Sequence, residues 1–130
     1  MKLTDSELQI MELFWNTGKA LSSPDILKLS PAEKLWKDNS VYIMIQTLQK
    51  KNAIKEIGAA KGEKGKYLRL FEPTFSREEY YSNQFSIAVD AGNILQLFSA
   101  LIKNLDLNEE TIQQLEDLLK QKRADQKLKG

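Results

Sequence analysis

Apolar and polar residues follow each other in patterns that predict three helices within the first 50 residues. Thr4 and Glu7 have the spacing of a capping box, and Leu3 and Leu8 occupy the positions of a hydrophobic staple around it. A first helix is therefore predicted to begin here. Gly18 is suited to end it, because glycine adopts a left-handed cap at little cost.

A second, short helix is predicted from the sequence Ser22-Ser23-Pro24-Asp25, which combines a hydroxyl cap with proline at the first helical position and aspartate in the first turn. Pro31 disfavours helical geometry at the residue before it, so the helix ends there. Residues 32–37 are compatible with one more turn, in which Leu35 and Trp36 would cover the core.

The third helix shows the clearest division into two faces. Residues 38–40 form a capping cluster, and apolar residues then recur at i, i+3, i+4 and i+7: Val41, Met44, Ile45 and Leu48. This face is predicted to lie in the core. The opposite face carries mostly long or hydrogen-bonding side chains: Tyr42, Ile43, Gln46, Thr47, Gln49 and Lys50.

A β-hairpin is predicted after these helices. Residues 53–57 and 67–71 have the composition of short strands, and residues 58–66 between them hold three of the six glycines and three lysines. The pattern indicates a hairpin with a cationic tip. Pro73 ends this part of the chain, which we take as a first domain of residues 1–73.

The remaining residues, 74–130, are predicted to form a helical region. Ser76 and Glu79 repeat the capping-box spacing, and the helix that follows is too apolar between residues 85 and 105 to face water on all sides. Asn108 caps a last amphipathic helix before a solvated tail over residues 120–130. Because these apolar residues exceed what a small region can bury alone, we predict a dimer interface made by Phe85, Val89, Ile94, Leu97, Phe98, Leu101, Ile112, Leu115, Leu118 and Leu119.

Composition narrows the possible chemistry. The chain has no cysteine and no histidine, which removes disulfides, the common transition-metal ligands and the commonest general base. No paired carboxylates, phosphate-binding loop or nucleophile with its base stands out. We therefore expect a protein that is not an enzyme and that needs no metal or cofactor. Neither a secretory signal nor a membrane span is visible, so the expected location is cytoplasmic.

The net charge of +1 conceals a local excess of positive charge. Residues 50–69 carry seven basic side chains against two acidic ones. Such a stripe on a nearly neutral protein is suited to contact with the phosphates of a nucleic acid.

Three capped helices followed by a hairpin are typical of a winged helix-turn-helix, in which the third helix enters the major groove of DNA. The predicted fold is thus mainly α with a small β-hairpin, and the predicted partners are duplex DNA and a second copy of the chain. Candidate contacts to base edges or flanking phosphates are Asn39, Ser40, Tyr42, Ile43, Gln46 and Thr47. Candidate contacts to phosphates are Lys50, Lys51, Lys61, Lys64 and Lys66.

A second interpretation stays open at this point. Tyr42 and Ile43 on the third helix could instead form a patch that binds protein, in a winged-helix module that does not read DNA.

The sequence resembles the penicillinase-repressor family, which includes the BlaI/MecI and CopY regulators, over essentially its whole length. The matching residues are 3–7 (LTDSE), 10–15 (IMELFW), 40–41, 44–55 (MIQTLQKKNAIK), 107–110 (LNEE), Leu115, Leu118 and Leu119. The resemblance implies a homodimeric transcriptional repressor that binds a pseudo-palindromic operator through the third helix and the wing. It also implies that the last helices intertwine across the two-fold axis.

Four departures from the family pattern bear on function. Tyr42 and Thr47 stand where family members usually have basic residues, and residues 30–38 form a longer linker. The cysteine cluster of the copper-responsive branch is absent, which excludes copper sensing of that kind. The antibiotic-responsive branch is induced by a protease that cuts an Asn-Phe bond. The corresponding bond here is Ala100-Leu101, which leaves a signalling protease, the inducing signal, the operator and the regulated genes open.

Overall fold

The structure, a computed structural model, describes residues 1–89 and 92–129. These residues form two compact units, Met1–Ser86 and a second unit that begins at Ile87. The first unit contains three helices and an antiparallel hairpin: α1 (Asp5–Thr17), α2 (Ser23–Leu29), α3 (Val41–Lys50), β1 (Ile54–Lys61) and β2 (Tyr67–Pro73). Helix α4 (Arg77–Ala88) follows, and then α5 (Ile94–Asn104) and α6 (Glu109–Lys129). The fold is a winged helix-turn-helix followed by helices, as predicted.

Helix α1 begins and ends where the sequence predicted. Thr4 and Glu7 form a complete capping box, in which each side chain bonds the backbone nitrogen of the other residue. Gly18 ends the helix in the left-handed region, with φ of 63°, and its nitrogen donates to the carbonyl of Phe14 at 3.0 Å.

Helix α2 begins one residue earlier than predicted: Ser22 is the cap and forms a second capping box with Asp25, and Pro24 is the second helical residue instead of the first. The linker to α3 differs from the prediction. Residues 32–37 form no helical turn, and Leu35 is 60% exposed, whereas Trp36 is buried as expected. The backbone nitrogen of Leu35 instead donates to Gln9 on α1 at 2.8 Å, so the polar backbone of this segment is satisfied without a helix.

Helix α3 is held by the predicted apolar stripe. Val41, Ile45 and Leu48 are almost fully buried, and Met44 packs against the same core. Asp38–Ser40 form a 3-10 turn that leads into the helix, and Ser40 makes no side-chain capping bond. The prediction of a capping cluster was therefore wrong in detail, because the tighter turn already supplies backbone bonds at this end.

The hairpin is longer than predicted. β1 continues to Lys61, and Gly58 lies at a bulge with φ of 152°, a conformation that favours glycine. Residues 58–61 were predicted as loop, but they pair with Tyr67, Leu68, Arg69 and Leu70. At the base of the hairpin, Leu21 and Phe71 exchange two backbone hydrogen bonds of 2.9 Å, which attach β2 to the segment between α1 and α2.

The first unit extends beyond the boundary predicted at residue 73, because the beginning of α4 packs against α1. The ring of Tyr80 is stacked on that of Phe75 at 5.8 Å, and the Tyr80 hydroxyl accepts a buried hydrogen bond from the backbone nitrogen of Leu3 at 3.0 Å.

Further polar contacts join α1 to the beginning of α4. The guanidinium of Arg77 donates to the carboxylate of Glu12 at 2.5 Å, and the indole nitrogen of Trp15 donates to the carbonyl of Phe75. The predicted capping box of Ser76 and Glu79 is present.

The helices that follow the first unit differ from the prediction in one respect and agree with it in another. The apolar stretch of residues 85–105 is not one helix: α4 ends at Ala88, a turn includes Gly92 and Asn93, and α5 begins at Ile94. Residues 90 and 91 of that stretch lie outside the described residues. Asn108 caps α6 as predicted, by accepting a bond from Thr111 at 2.8 Å.

Residues 120–129 of the predicted tail are exposed, as expected, but they continue α6, which runs to Lys129; Gly130 lies outside the described residues. Among the residues that are described, no helix has the length and apolar character needed to cross a membrane.

Candidate nucleic-acid interface

The outward face of α3 carries unusually exposed large side chains. Tyr42 is 64% exposed and Ile43 is 65% exposed, although the opposite side of the same helix is almost completely buried. Gln46 is also exposed, and it lines a shallow concavity together with Gln49 and Lys50. The core therefore fixes α3 rigidly while its outer face stays open to a partner.

Two of the predicted contact residues, Asn39 and Ser40, precede α3, and Thr47 lies within it beside the exposed residues already described. Asn39 is exposed and Ser40 half-buried, both in the 3-10 turn at the beginning of the helix. Thr47 is half-buried, and its hydroxyl donates to the carbonyl of Ile43 at 2.9 Å. The donor of Thr47 is thus already used within the helix.

The two adjacent lysines at the end of α3 have different environments. Lys50 is exposed at the last residue of the helix. The ammonium of Lys51 lies 2.6 Å from Oε1 of Glu7 on α1, and the Glu7 residue is only 4% exposed. Lys51 therefore anchors the end of α3 to the beginning of α1, and its charge already has a partner within the protein.

The surroundings of Glu7 favour the ionised form of its carboxyl in spite of its burial. Burial alone raises its pKa, but hydrogen bonds from Lys51 and from the backbone and hydroxyl of Thr4, with the nearby Lys51 charge, hold the pKa below its ordinary value of 4.5. Its Oε1 accepts bonds from Lys51 at 2.6 Å and from the nitrogen of Thr4 at 2.8 Å, whereas its Oε2 is buried with no partner among the described residues. This carboxylate depends strongly on Lys51.

The wing, residues 54–73, carries the other predicted cations at its exposed tip. Lys61 ends β1, Lys64 lies in the left-handed region with φ of 65°, and Lys66 precedes β2. The nitrogen of Gly62 donates to the carbonyl of Lys66 at 2.6 Å and closes the turn. The three ammonium groups therefore lie on one short, closed tip.

The structure adds one cation that the sequence analysis missed. Lys28 on α2 lines a groove together with Lys61 and Lys66 of the wing. In the sequence, Lys28 stands between the apolar residues Leu27 and Leu29. The signal for Lys28 was its position between apolar anchors on a very short helix, where it must face outward.

The second unit leaves apolar side chains at its surface. In α5 and α6, both described over their full length, no residue is buried. Seven of the predicted interface residues are at least 36% exposed: Ile94, Phe98, Leu101, Ile112, Leu115, Leu118 and Leu119. Val89 and Leu97 are half-buried, as is Phe85 at the end of the first unit. Residues of α5 and α6 also line an apolar groove of about 510 Å³. All ten predicted interface residues therefore lie on helices, or directly after one, with apolar surface to cover.

A winged helix whose third helix has an exposed outer face, together with a wing that carries lysines, defines the class of winged-helix DNA-binding proteins. The penicillinase repressor family matches residues 3–121, and the chain belongs to this family. It is a DNA-binding regulator.

A solved structure that the chain is similar to is the adhesin competence repressor from Streptococcus pyogenes. The identity is 16% and the TM-score 0.45, over 99% of this chain and 82% of that chain. Among curated proteins, none matches the sequence significantly.

Proposed function

We propose that the protein is a transcriptional repressor that binds a pseudo-palindromic operator as a homodimer. The observation that carries this proposal is the division of α3, in which Val41, Ile45 and Leu48 are buried while Tyr42 and Ile43 remain about two-thirds exposed. A helix enters the major groove productively only when one side is fixed and the other presents side chains to base edges. Asn39, Ser40, Gln46 and Thr47 complete the proposed base and backbone contacts.

The wing and the end of α3 supply the proposed phosphate contacts. Lys50, Lys61, Lys64 and Lys66 are exposed, and Lys28 joins them through the groove beside the wing. We leave Lys51 out of this set because of its bond to Glu7. The four exposed lysines alone, Lys50, Lys61, Lys64 and Lys66, in each of two subunits correspond to a slope of log affinity against log salt of about −7.

The dimer is supported by the exposed apolar side chains of α5 and α6. Helices of this kind are stable in water when a partner covers their apolar face. Two linked DNA-binding units also bind more tightly than one, because binding of the first to its half-site raises the effective concentration of the second at the other half-site. The proposed half-sites are about one helical turn apart, as the two-fold symmetry of a dimer requires.

Repression would follow from occlusion of a promoter, in the cytoplasm, and release from loss of the dimer. The bond at the position of the family's cleavage site, Ala100-Leu101, lies within α5. A protease needs an extended backbone, so cleavage there would require this helix to unfold locally. A signalling protease is therefore a proposed partner only if such unfolding occurs.

Reversing charge on the wing tests the proposal. In the full chain, Lys61 and Lys66 are changed to Glu, and binding to duplex DNA is measured by fluorescence anisotropy at several salt concentrations. Lys64 is left unchanged because its positive φ couples it to the shape of the turn. We expect a loss of at least a hundredfold in affinity and a shallower salt slope.

The matched control reverses two exposed lysines of the same unit that are not on the wing or α3, Lys2 and Lys19. It should bind DNA almost as tightly as the unchanged chain. Equal losses in the two variants, or no binding of any duplex by the unchanged protein at low salt, would contradict the proposal. The second result would favour a module that binds protein through Tyr42 and Ile43.

A further inference from the structure

The outward ridge of α3 has an order that bears on which bases it meets. Ile43, Gln46 and Lys50 follow each other at i, i+3 and i+7, so they share one line along the helix opposite the buried stripe. Tyr42 and Thr47 flank this line. The residues nearest the beginning of the helix, which usually lie deepest in the groove, are therefore Tyr42, Ile43 and Gln46.

The donors on this ridge differ from those that recognise guanine. Guanine shows two acceptors in the major groove and is usually bound by arginine or lysine. Along α3, which the structure describes in full, no cationic side chain precedes Lys50. Lys50 lies about 10 Å along the helix from Ile43, which is about three base pairs away.

The same side chains match an A·T pair. The only apolar group in the major groove is the methyl group of thymine, and Ile43 is a 65% exposed aliphatic side chain. The amide of Gln46 has an NH2 donor and a carbonyl acceptor side by side, the pattern that adenine complements through its N7 acceptor and N6 donor. Thr47 has used its hydroxyl donor on the carbonyl of Ile43, and so adds no donor for guanine.

We propose that α3 reads adjacent A·T pairs in each half-site, with a thymine methyl group against Ile43 and an adenine against Gln46. The inference rests on the proposed function and specifies the sequence at that site. Ile43 and Gln46 are about 4.5 Å apart along the helix axis, which compares with a base-pair spacing of 3.4 Å. The two bases therefore fit neighbouring base pairs.

The experiment begins with selection of duplexes from a library with randomised half-sites, using the full chain. In the selected duplex, each thymine of the half-site is then replaced in turn by uracil, which lacks only the methyl group. One replacement should weaken binding about fourfold, the value of one buried methyl group. The variant Ile43→Ala should bind the thymine and uracil duplexes equally, because it lacks the contact.

A second pair of measurements tests Gln46. Replacing one adenine by 7-deazaadenine removes the N7 acceptor and should weaken binding by the unchanged chain about tenfold. The variant Gln46→Ala should be indifferent to that replacement. For the thymine test, the matched control is the variant Ile57→Ala, which removes an exposed isoleucine on β1. This variant should keep the full dependence on the thymine methyl group.

The outcomes separate this inference from the proposed function. Selection that enriches no sequence would overturn both the operator proposal and the inference. Enrichment of a half-site with G·C pairs opposite α3 would overturn the inference alone. The same would follow if uracil weakened binding by Ile43→Ala as much as by the unchanged chain.

Discussion

Removing the charge of Lys51 should destabilise the first unit, whereas removing that of its neighbour Lys50 should not. The change Lys51→Met keeps most of the side-chain stem but leaves the carboxylate of Glu7 buried without its cation. Both of its oxygens then lack a charged partner, since Oε2 has no bond among the described residues and Oε1 retains only Thr4. Leaving a buried charge without its partner is among the most destabilising changes in a protein.

The size of the effect follows from the burial of the two partners. Breaking a fully buried ion pair costs about 3–5 kcal/mol, and losing a hydrogen bond to a charged group about 1.5–3 kcal/mol. The Glu7 side chain is 6% exposed but that of Lys51 is 30% exposed, so water screens part of the interaction. We therefore expect a loss of about 2 kcal/mol in the free energy of unfolding.

Urea denaturation followed by tryptophan fluorescence measures this loss, because both tryptophans, Trp15 and Trp36, lie in the first unit. Lys50→Met is the matched control, and it should change stability by less than about 0.5 kcal/mol. The double variant with Glu7→Gln should recover most of the loss, since no buried charge is then left unpaired.

The salt dependence of DNA binding should show the opposite order. Lys50→Met should make the slope shallower by about 0.9 for each subunit, and Lys51→Met should leave it unchanged. If Lys51→Met were as stable as the unchanged chain and reduced the slope as Lys50→Met does, the assignment of Lys51 to Glu7 would be refuted.

Two further predictions concern the same unit. Folding lowers the pKa of Glu7, so the ionised carboxylate contributes to stability above pH 4.5, the ordinary glutamate value, and this contribution is lost as the pH falls through the lowered pKa. Urea denaturation at several pH values should therefore show that the stability difference between the unchanged chain and Glu7→Gln shrinks below pH 4.5. A difference that stays constant with pH would contradict the shift. Gly18→Ala should lower the free energy of unfolding, measured by urea denaturation, by about 1 kcal/mol. The added methyl group would meet nothing within 4 Å, so only the φ of 63° opposes the alanine. An unchanged stability would contradict this prediction, because it would show that the cap tolerates alanine.

Local sequence signals predicted the helices of the first unit well, because each depends on residues close in the chain. The capping boxes at Thr4 and Ser22 bond residues three positions away, and the α3 stripe follows from helical periodicity alone. The extra length of β1 could not be predicted in this way. Its residues 58–61 have the composition of a loop, and only pairing with β2 makes them a strand.

The candidate site shows the same limit. Lys50 and Lys51 are equivalent in the sequence, and they differ only because Glu7, 44 positions away, lies beside one of them. Lys28 on α2 likewise lines one groove with Lys61 and Lys66 of the wing only through the tertiary fold. The sequence therefore predicts which kinds of side chain lie at the interface, and the structure shows that Lys51 among them already has a partner within the protein.

Sedimentation of the full chain with its selected duplex tests the central claim most directly. We predict that two copies of the chain sediment with each duplex that carries two half-sites. We also predict that the complex is lost when Lys61 and Lys66 are changed to Glu but kept when Lys2 and Lys19 are. A single copy on the duplex, or a complex that survives reversal of the wing charges, would contradict the claim that α3 and the wing of a dimer bind DNA.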